Sequence, residues 1–320
     1  MRRMEIVRRA VIDVGTNSVK VLVADVSGHE VRPVVEESKQ TRLGKGFYET
    51  RRLQPEPIVA TAKAVARFAD VARAKDAQFI RVIATSAARD ALNSDDLTRA
   101  ITDASGLPVE IISGEQEADW VFQGVTTNPA FAREPLLLLD VGGGSTEFIL
   151  GQGEHKHFRE SLPLGTVRLM EKLPPGDLPN AEELHRCRAW LRRFVAEEVR
   201  PKLEPALRRE MGPHPGRKQV QLAGTGGTAT ILGRMEAQLE NYDREKIEAT
   251  RVTLERIRWH VEKLWSLPHE KRKQITGLPA SRADVILTGV PIYEAVMEEF
   301  GFKELRISTR GLRFAAVMNS

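Results

Sequence analysis

Ala10-Val11-Ile12-Asp13-Val14-Gly15-Thr16-Asn17-Ser18-Val19-Lys20-Val21-Leu22-Val23 enters a polar turn from an apolar run and leaves it on alternating Val19, Val21 and Val23. That pattern predicts a hairpin over 10–26. The chain repeats it: residues 136–140 feed Val141-Gly142-Gly143-Gly144-Ser145, and a second strand is expected over 146–150. At an offset of 127 residues, Asp13 and Asp140, Val14 and Val141, Gly15 and Gly142, and Ser18 and Ser145 coincide. A strand–turn–strand unit used twice implies a duplicated α/β domain, with the two turns expected to face each other across a cleft.

Between the repeats, Ile58, Ala62, Val65, Phe68 and Ala72 recur at helical spacing behind Pro55 and Pro57. Residues 79–84 read as a strand running into Thr85-Ser86-Ala87-Ala88-Arg89, a turn that opens a helix. A strand over 109–112 precedes a helix carrying Glu117, Val121, Phe122 and Val125, and 126–135 reads as a linker. The expected domains are 1–125 and 126–310, with a terminal helix in 311–320 packing back on the first. In the second, helices are expected over 181–203, 254–267 and 292–299, and strands over 220–223, 285–287 and 305–308. The strand at 220–223 enters a third glycine-rich turn, Gly224-Thr225-Gly226-Gly227-Thr228, which leads into a helix.

With 320 residues, 41% apolar and 29% charged, the chain is long enough for two cores and reads as globular. The formal charge of +4 suits a protein that handles anions. Arg192-Arg193, Arg208-Arg209 and Lys271-Arg272-Lys273 read as solvated helix faces. With 6% aromatics there is no stacking platform for nucleic acid. The lone Cys187 excludes a disulfide framework and a thiolate metal cluster. The opening Met1-Arg2-Arg3-Met4 is not followed by a signal core, and no stretch is long and apolar enough for a membrane span, so a cytoplasmic location is expected. His155 and His157 read as ordinary turn residues, and Trp190, Trp259 and Trp265 as packing.

Turns without Cβ atoms let backbone N–H groups converge on an anion, and a helix N-terminus adds partial positive charge. Three such turns, each after a short apolar strand, point to a phosphate grip at Thr16, Asn17 and Ser18, at Gly142, Gly143, Gly144 and Ser145, and at Gly224, Thr225, Gly226 and Gly227. Neither the P-loop nor the dinucleotide fingerprint is present. Paired strand–turn–strand loops resemble the actin, Hsp70 and sugar-kinase superfold: two duplicated actin-like (RNase H-like) domains with an interdomain cleft.

Within that superfold the chain resembles the exopolyphosphatase and guanosine pentaphosphate phosphatase family. The similar segments are Ile12-Asp13-Val14-Gly15-Thr16-Asn17-Ser18, Ala84-Thr85-Ser86-Ala87-Ala88-Arg89-Asp90-Ala91, Ile112-Ser113-Gly114-Glu115-Gln116-Glu117-Ala118 and Asp140-Val141-Gly142-Gly143-Gly144-Ser145-Thr146-Glu147. Tyr242-Asp243-Arg244-Glu245-Lys246, Arg282-Ala283-Asp284-Val285-Ile286 and Gly311-Leu312-Arg313 follow in order. Phe314-Ala315 stands where Glu-Gly commonly follows Gly-Leu-Arg, and Glu248-Ala249 where His-Gly is common. The extra helical domain of long members has no counterpart, so the chain resembles the short form.

The resemblance implies that Glu117 activates the attacking water, against the alternative of a solvated first-turn Glu like Glu115. It implies that Glu147 is a second catalytic carboxylate or metal partner, and that Arg89 forks onto phosphate oxygens. Asp13 and Asp140 end the repeated strands, where their oxygens suit Mg²⁺ or Mn²⁺ directly or through water, or cap the turns instead. The expected substrate is inorganic polyphosphate, with guanosine pentaphosphate as the alternative. A kinase or ATPase of the same superfold and a non-catalytic phosphate-ligand sensor are the rival classes, and a homodimer is compatible with the fold.

Overall fold

The computed structural model describes residues 5–211 and 219–319. Met1-Arg2-Arg3-Met4 and Ser320 lie outside the described residues. The chain divides into two compact units, Met1–Asn128 with Gly143–Ser145 and Arg310–Ser320, and Pro129–Gly142 with Thr146–Thr309.

In the first unit, β1 (Val7–Val14), β2 (Ser18–Ser27) and β3 (Glu30–Gln40) form an antiparallel meander. Strands β4 (Phe79–Ala84) and β5 (Val109–Ile111) add to β1 in parallel, giving the order β3-β2-β1-β4-β5. Helices α1 (Pro55–Arg73), α2 (Ser86–Asp90), α3 (Ser94–Ser105) and α4 (Gly114–Thr126) complete the body of the unit. Alternate residues Ala10, Ile12 and Val14 of β1, with Val19, Val21 and Val23 of β2, share a core with Ile58, Ala62, Val65, Phe68 and Ala72 of α1. That is period 2 meeting period 3.6.

The second unit contains α5 (Pro129–Ala132), β6 (Leu136–Val141), β7 (Thr146–Gln152), β8 (His155–Leu162), α6 (Thr166–Lys172) and α7 (Ala181–Phe194). A π-helical turn, Val195–Val199, joins α7 to α8 (Arg200–Met211). Next come β9 (Gln221–Thr225), α9 (Gly226–Glu236), α10 (Arg244–Ala249), β10 (Arg251–Thr253), α11 (Leu254–Trp265), α12 (His269–Arg272), α13 (Ile286–Phe300) and β11 (Glu304–Ile307). The sheet order is β10-β11-β9-β6-β7-β8. Read from β8, it repeats the first unit's meander and parallel additions, with β10 appended. The four leucines of β6 are fully buried, each contributing about 1.5–3 kcal/mol.

The last helix, α14 (Leu312–Met318), returns to the first unit and packs on α4, β1 and β2. A Cβ on Gly124 of α4 would lie 2.0 Å from the Gly311 carbonyl oxygen, so this helix contact requires a residue without a side chain there. Among the described residues no helix is long and apolar enough to cross a membrane.

Four readings of the sequence are corrected. His155 and His157 lie on β8, because the turn is the two-residue Gly153-Glu154 with Gly153 at φ +61. Residues 285–287 are not a strand: Val285 caps α13, whose residues 286–297 are buried all round, and a short apolar run does not distinguish a strand from a fully buried helix. Arg272 is buried, donating to the Ala283 and Leu267 carbonyls, so it is no solvated helix face. Trp259 is exposed on α11, flanked by Arg256 and Lys263 at 4.3 and 4.6 Å from its ring.

Candidate active site

In the first unit the β1–β2 turn is closed by the Gly15 N–H on the Ser18 carbonyl at 3.0 Å. Its carbonyls are held from the β3–α1 connection: Thr41 and Arg42 N–H both donate to Asn17 O, and Gly44 N–H donates to Thr16 O at 2.8 Å. Arg42 takes φ 54 to do so, a left-handed conformation uncommon outside glycine. Gln40 Nε2 donates to Asn17 Oδ1 at 3.2 Å, which turns the Asn17 amide nitrogen away from Gln40.

Gly143 and Gly144 belong to this unit and press their backbone against that turn. A Cβ on Gly144 would come within 2.5 Å of Ser86 Oγ, 2.6 Å of the Tyr48 hydroxyl and 2.8 Å of Thr16 Oγ1, and one on Gly143 within 2.9 Å of Thr16 Cβ. Three hydroxyls thus converge on bare backbone. Asn17 Nδ2, Ser18 Oγ and Ser86 Oγ are buried without a hydrogen-bond partner among the described residues. Each such atom costs about 1–3 kcal/mol until something polar meets it.

Glu117 stands in the first turns of α4, which Ser113 caps by accepting from Gln116 N–H at 3.1 Å. Its side chain is 10% exposed, whereas Glu115, two residues earlier on the helix, faces solvent. Arg89 Nη1, from the end of α2, donates to Glu117 Oε2 at 2.9 Å and to the Ile112 carbonyl at 3.2 Å. The two residues, 28 apart in sequence, therefore form one charged group.

In the second unit the register sets Thr225, Asp140, Glu147 and Ser161 side by side across β9, β6, β7 and β8. Directly paired residues share a sheet face with Cβ atoms roughly 4.5–5.5 Å apart, where like charges destabilise. Asp140 and Glu147 are such a pair. Ser161 Oγ donates to Glu147 Oε1 at 2.7 Å, and the Glu147 carboxylate is buried. Gly226, at φ +79, opens α9 against Asp140: a Cβ there would lie 2.0 Å from Asp140 Oδ1. Tyr293 packs on Gly224, and burial, with the Asp140 charge second, pushes its phenol well above the ordinary value.

The first unit repeats this row with different charges. Asp13 pairs with Lys20, and Lys20 with Ser38. Burial raises the Asp13 pKa, while Lys20 and Arg313 pull it down. Arg313 is itself held by the Val21 carbonyl and Glu36. Lys20 thus occupies the place that Glu147 holds in the second unit.

Among the described residues no three or more His, Cys, Asp or Glu side chains gather as a metal cluster. Two adjacent carboxylates do suit Mg²⁺, which takes one or two carboxylates and completes its shell with water and substrate phosphate. Asp140 and Glu147 stand out in the sequence, whereas Ser161 and Tyr48 do not, and Ser86 is marked only by the longer motif that contains it. Ser161 is out of reach: the two-residue turn alone would set Glu160 opposite Glu147, and the register shift between Leu150 and Gly151 brings Ser161 there instead. Tyr48 and Ser86 reach the Gly144 turn through tertiary packing alone.

A Ppx/GppA phosphatase family model matches residues 21–319. Exopolyphosphatase 2 of Mycobacterium tuberculosis is 33% identical over 319 residues, covering 95% of this chain and 96% of that protein. The structure of the Aquifex aeolicus PPX-GPPA enzyme superposes with a TM-score of 0.76 at 28% identity, covering 99% of this chain and 100% of that one. An exopolyphosphatase structure from Cytophaga hutchinsonii has the same fold, with a TM-score of 0.84 over 96% of both chains at 24% identity. With a family match over residues 21–319 and a relative 33% identical over 95% of its length, the chain belongs to the Ppx/GppA phosphatase family.

Proposed function

We propose that this protein is an exopolyphosphatase, releasing the terminal phosphate of inorganic polyphosphate with Mg²⁺ or Mn²⁺, and that guanosine pentaphosphate is the alternative substrate. The observation that carries the reading is the trio of buried, unpartnered groups, Asn17 Nδ2, Ser18 Oγ and Ser86 Oγ, beside the bare backbone of Gly143 and Gly144. Two hydroxyls and an amide N–H₂ supply donors for phosphate oxygens, and a compact anion needs the close approach that only glycine permits.

In this reading Glu117 accepts the proton of the attacking water, a role suited to a largely buried carboxylate. Arg89 holds Glu117 through one nitrogen, and its remaining N–H groups serve phosphate oxygens, as a planar fork does. Thr16, Asn17, Ser18, Gly142, Gly143, Gly144 and Ser145 hold the phosphate chain, with Gly224, Thr225, Gly226 and Gly227 as the third turn. Asp140 and Glu147 would hold the metal, which when bound offsets the substrate's negative charge. Asp13 is left out of that set because Lys20 and Arg313 already oppose its charge.

Phosphate release from polyphosphate and from guanosine pentaphosphate, at matched concentrations with Mg²⁺, tests the proposal. Turnover of polyphosphate one terminal phosphate at a time is expected. Tight binding of both without release would instead identify a sensor.

Gly144→Ala tests the grip. Its methyl group meets three hydroxyls at 2.5–2.8 Å, and overpacking of this kind costs about 1–3 kcal/mol. The expected result is a KM for polyphosphate raised about tenfold or more. An unchanged KM would remove Gly144 from the phosphate site.

A further inference from the structure

We infer that Ser161 is a positioning residue that orients the Glu147 carboxylate for the metal. This rests on the proposed role of Glu147, but not on which phosphate substrate is used. Ser161 lies on the edge strand β8 and is half-buried, where a serine would ordinarily hydrogen-bond to water. It instead donates to Glu147 Oε1 at 2.7 Å, from the position directly opposite in the β7–β8 register. Glu147 is 1% exposed and has Asp140 as its other cross-strand neighbour. A buried carboxylate beside a like charge tends to swing away unless one oxygen is held. The hydroxyl holds Oε1 on the β8 side, and this limits rotation of the carboxylate relative to Asp140.

The first unit carries the same row with Lys20 in the place of Glu147 and Ser38 in the place of Ser161. There the residue opposite the aspartate is a cation. Only in the second unit does the central member of the row need an oriented acceptor. Groups that hold a metal's ligands typically change metal affinity or activity by about 10–100-fold when removed.

Mn²⁺ titrations followed by electron paramagnetic resonance, with inorganic phosphate present, compare the wild type with Ser161→Ala, Ser161→Thr and Glu147→Gln. Polyphosphate kinetics and melting temperature are measured alongside. The inference expects Ser161→Ala to bind Mn²⁺ about tenfold more weakly. Its kcat at subsaturating metal should fall by a similar factor, with KM for polyphosphate unchanged, and Ser161→Thr, which keeps the hydroxyl, should recover both. If Ser161→Ala binds Mn²⁺ as the wild type does while Glu147→Gln loses it, the inference is overturned and the role of Glu147 stands. A lower melting temperature with unchanged Mn²⁺ affinity overturns it too, as a purely structural contact. If Glu147→Gln matches the wild type, or the wild type binds no Mn²⁺, the metal reading falls and the inference with it.

Discussion

Glu117→Gln is expected to lower phosphate release by about 10²–10⁴-fold, the contribution of a positioned acid or base. The substitution preserves size and a hydrogen-bonding head but removes the atom pair that can take a proton from water. Its structural cost should be small. Arg89 loses a charged acceptor at 2.9 Å but keeps the Ile112 carbonyl, and its side chain is 22% exposed, so water compensates. Polyphosphate binding should hold or tighten, because one negative charge near a polyanion is gone and Arg89 is released from its ion pair. That combination separates a base from a structural carboxylate, whose loss would lower the melting temperature and leave the folded enzyme's turnover intact. Glu115→Gln is the matched control, two residues earlier on the same helix and exposed. More than a tenth of wild-type turnover at saturating substrate in Glu117→Gln, or a larger loss in Glu115→Gln, would falsify the assignment.

The parts of the fold that could be read in the sequence are those where burial and local turn chemistry agree. The strands β1, β2, β6 and β7 announce themselves because apolar runs stop at glycine-rich turns, and the duplication follows from comparing the two stops. Strands β3 and β8 escape that reading. Both are largely exposed or half-exposed, and β3 carries Pro33 beside a bulge, where β2 shifts register between Val23 and Ala24. What makes them strands is the two-residue turn before each, with Gly28 and Gly153 at positive φ. Residues 285–287 misled because a fully buried helix has no polar face to reveal its period. At the site, Asp13 and Asp140 look equivalent when only the repeated turns are compared. Their cross-strand partners, Lys20 and Glu147, give them opposite electrostatic surroundings. The Arg89–Glu117 pair and the hydroxyls around Gly144 depend on helix packing, which no local pattern encodes.

Asp140→Asn is expected to cut turnover by about 10²–10³-fold while leaving the metal-free protein as stable as the wild type or more so. The two effects have opposite signs for one reason. Without metal, the Asp140 carboxylate faces Glu147 across the sheet, so neutralising it relieves repulsion. In the proposed reading, a metal held by the same carboxylate would lower the barrier by several kcal/mol, at about 1.4 kcal/mol per decade of rate. Chelation of the wild type should abolish turnover for the same reason. Gly226→Ala offers an independent route to this result with every charge retained. A non-glycine residue at φ +79 costs roughly 1–2 kcal/mol, and its methyl group would sit 2.0 Å from Asp140 Oδ1, so the carboxylate must move. Its metal requirement should rise, whereas Gly227→Ala, with nothing within 4 Å of the added atom, should keep the wild-type requirement. Asp13→Asn should behave differently again: Asp13 lies opposite Lys20 rather than a second carboxylate, and its replacement should leave the metal requirement unaltered. Full activity in thoroughly chelated enzyme, or Asp140→Asn within tenfold of the wild type, would remove the metal from the second unit's carboxylate pair. A raised metal requirement in Asp13→Asn alone would move it to the first.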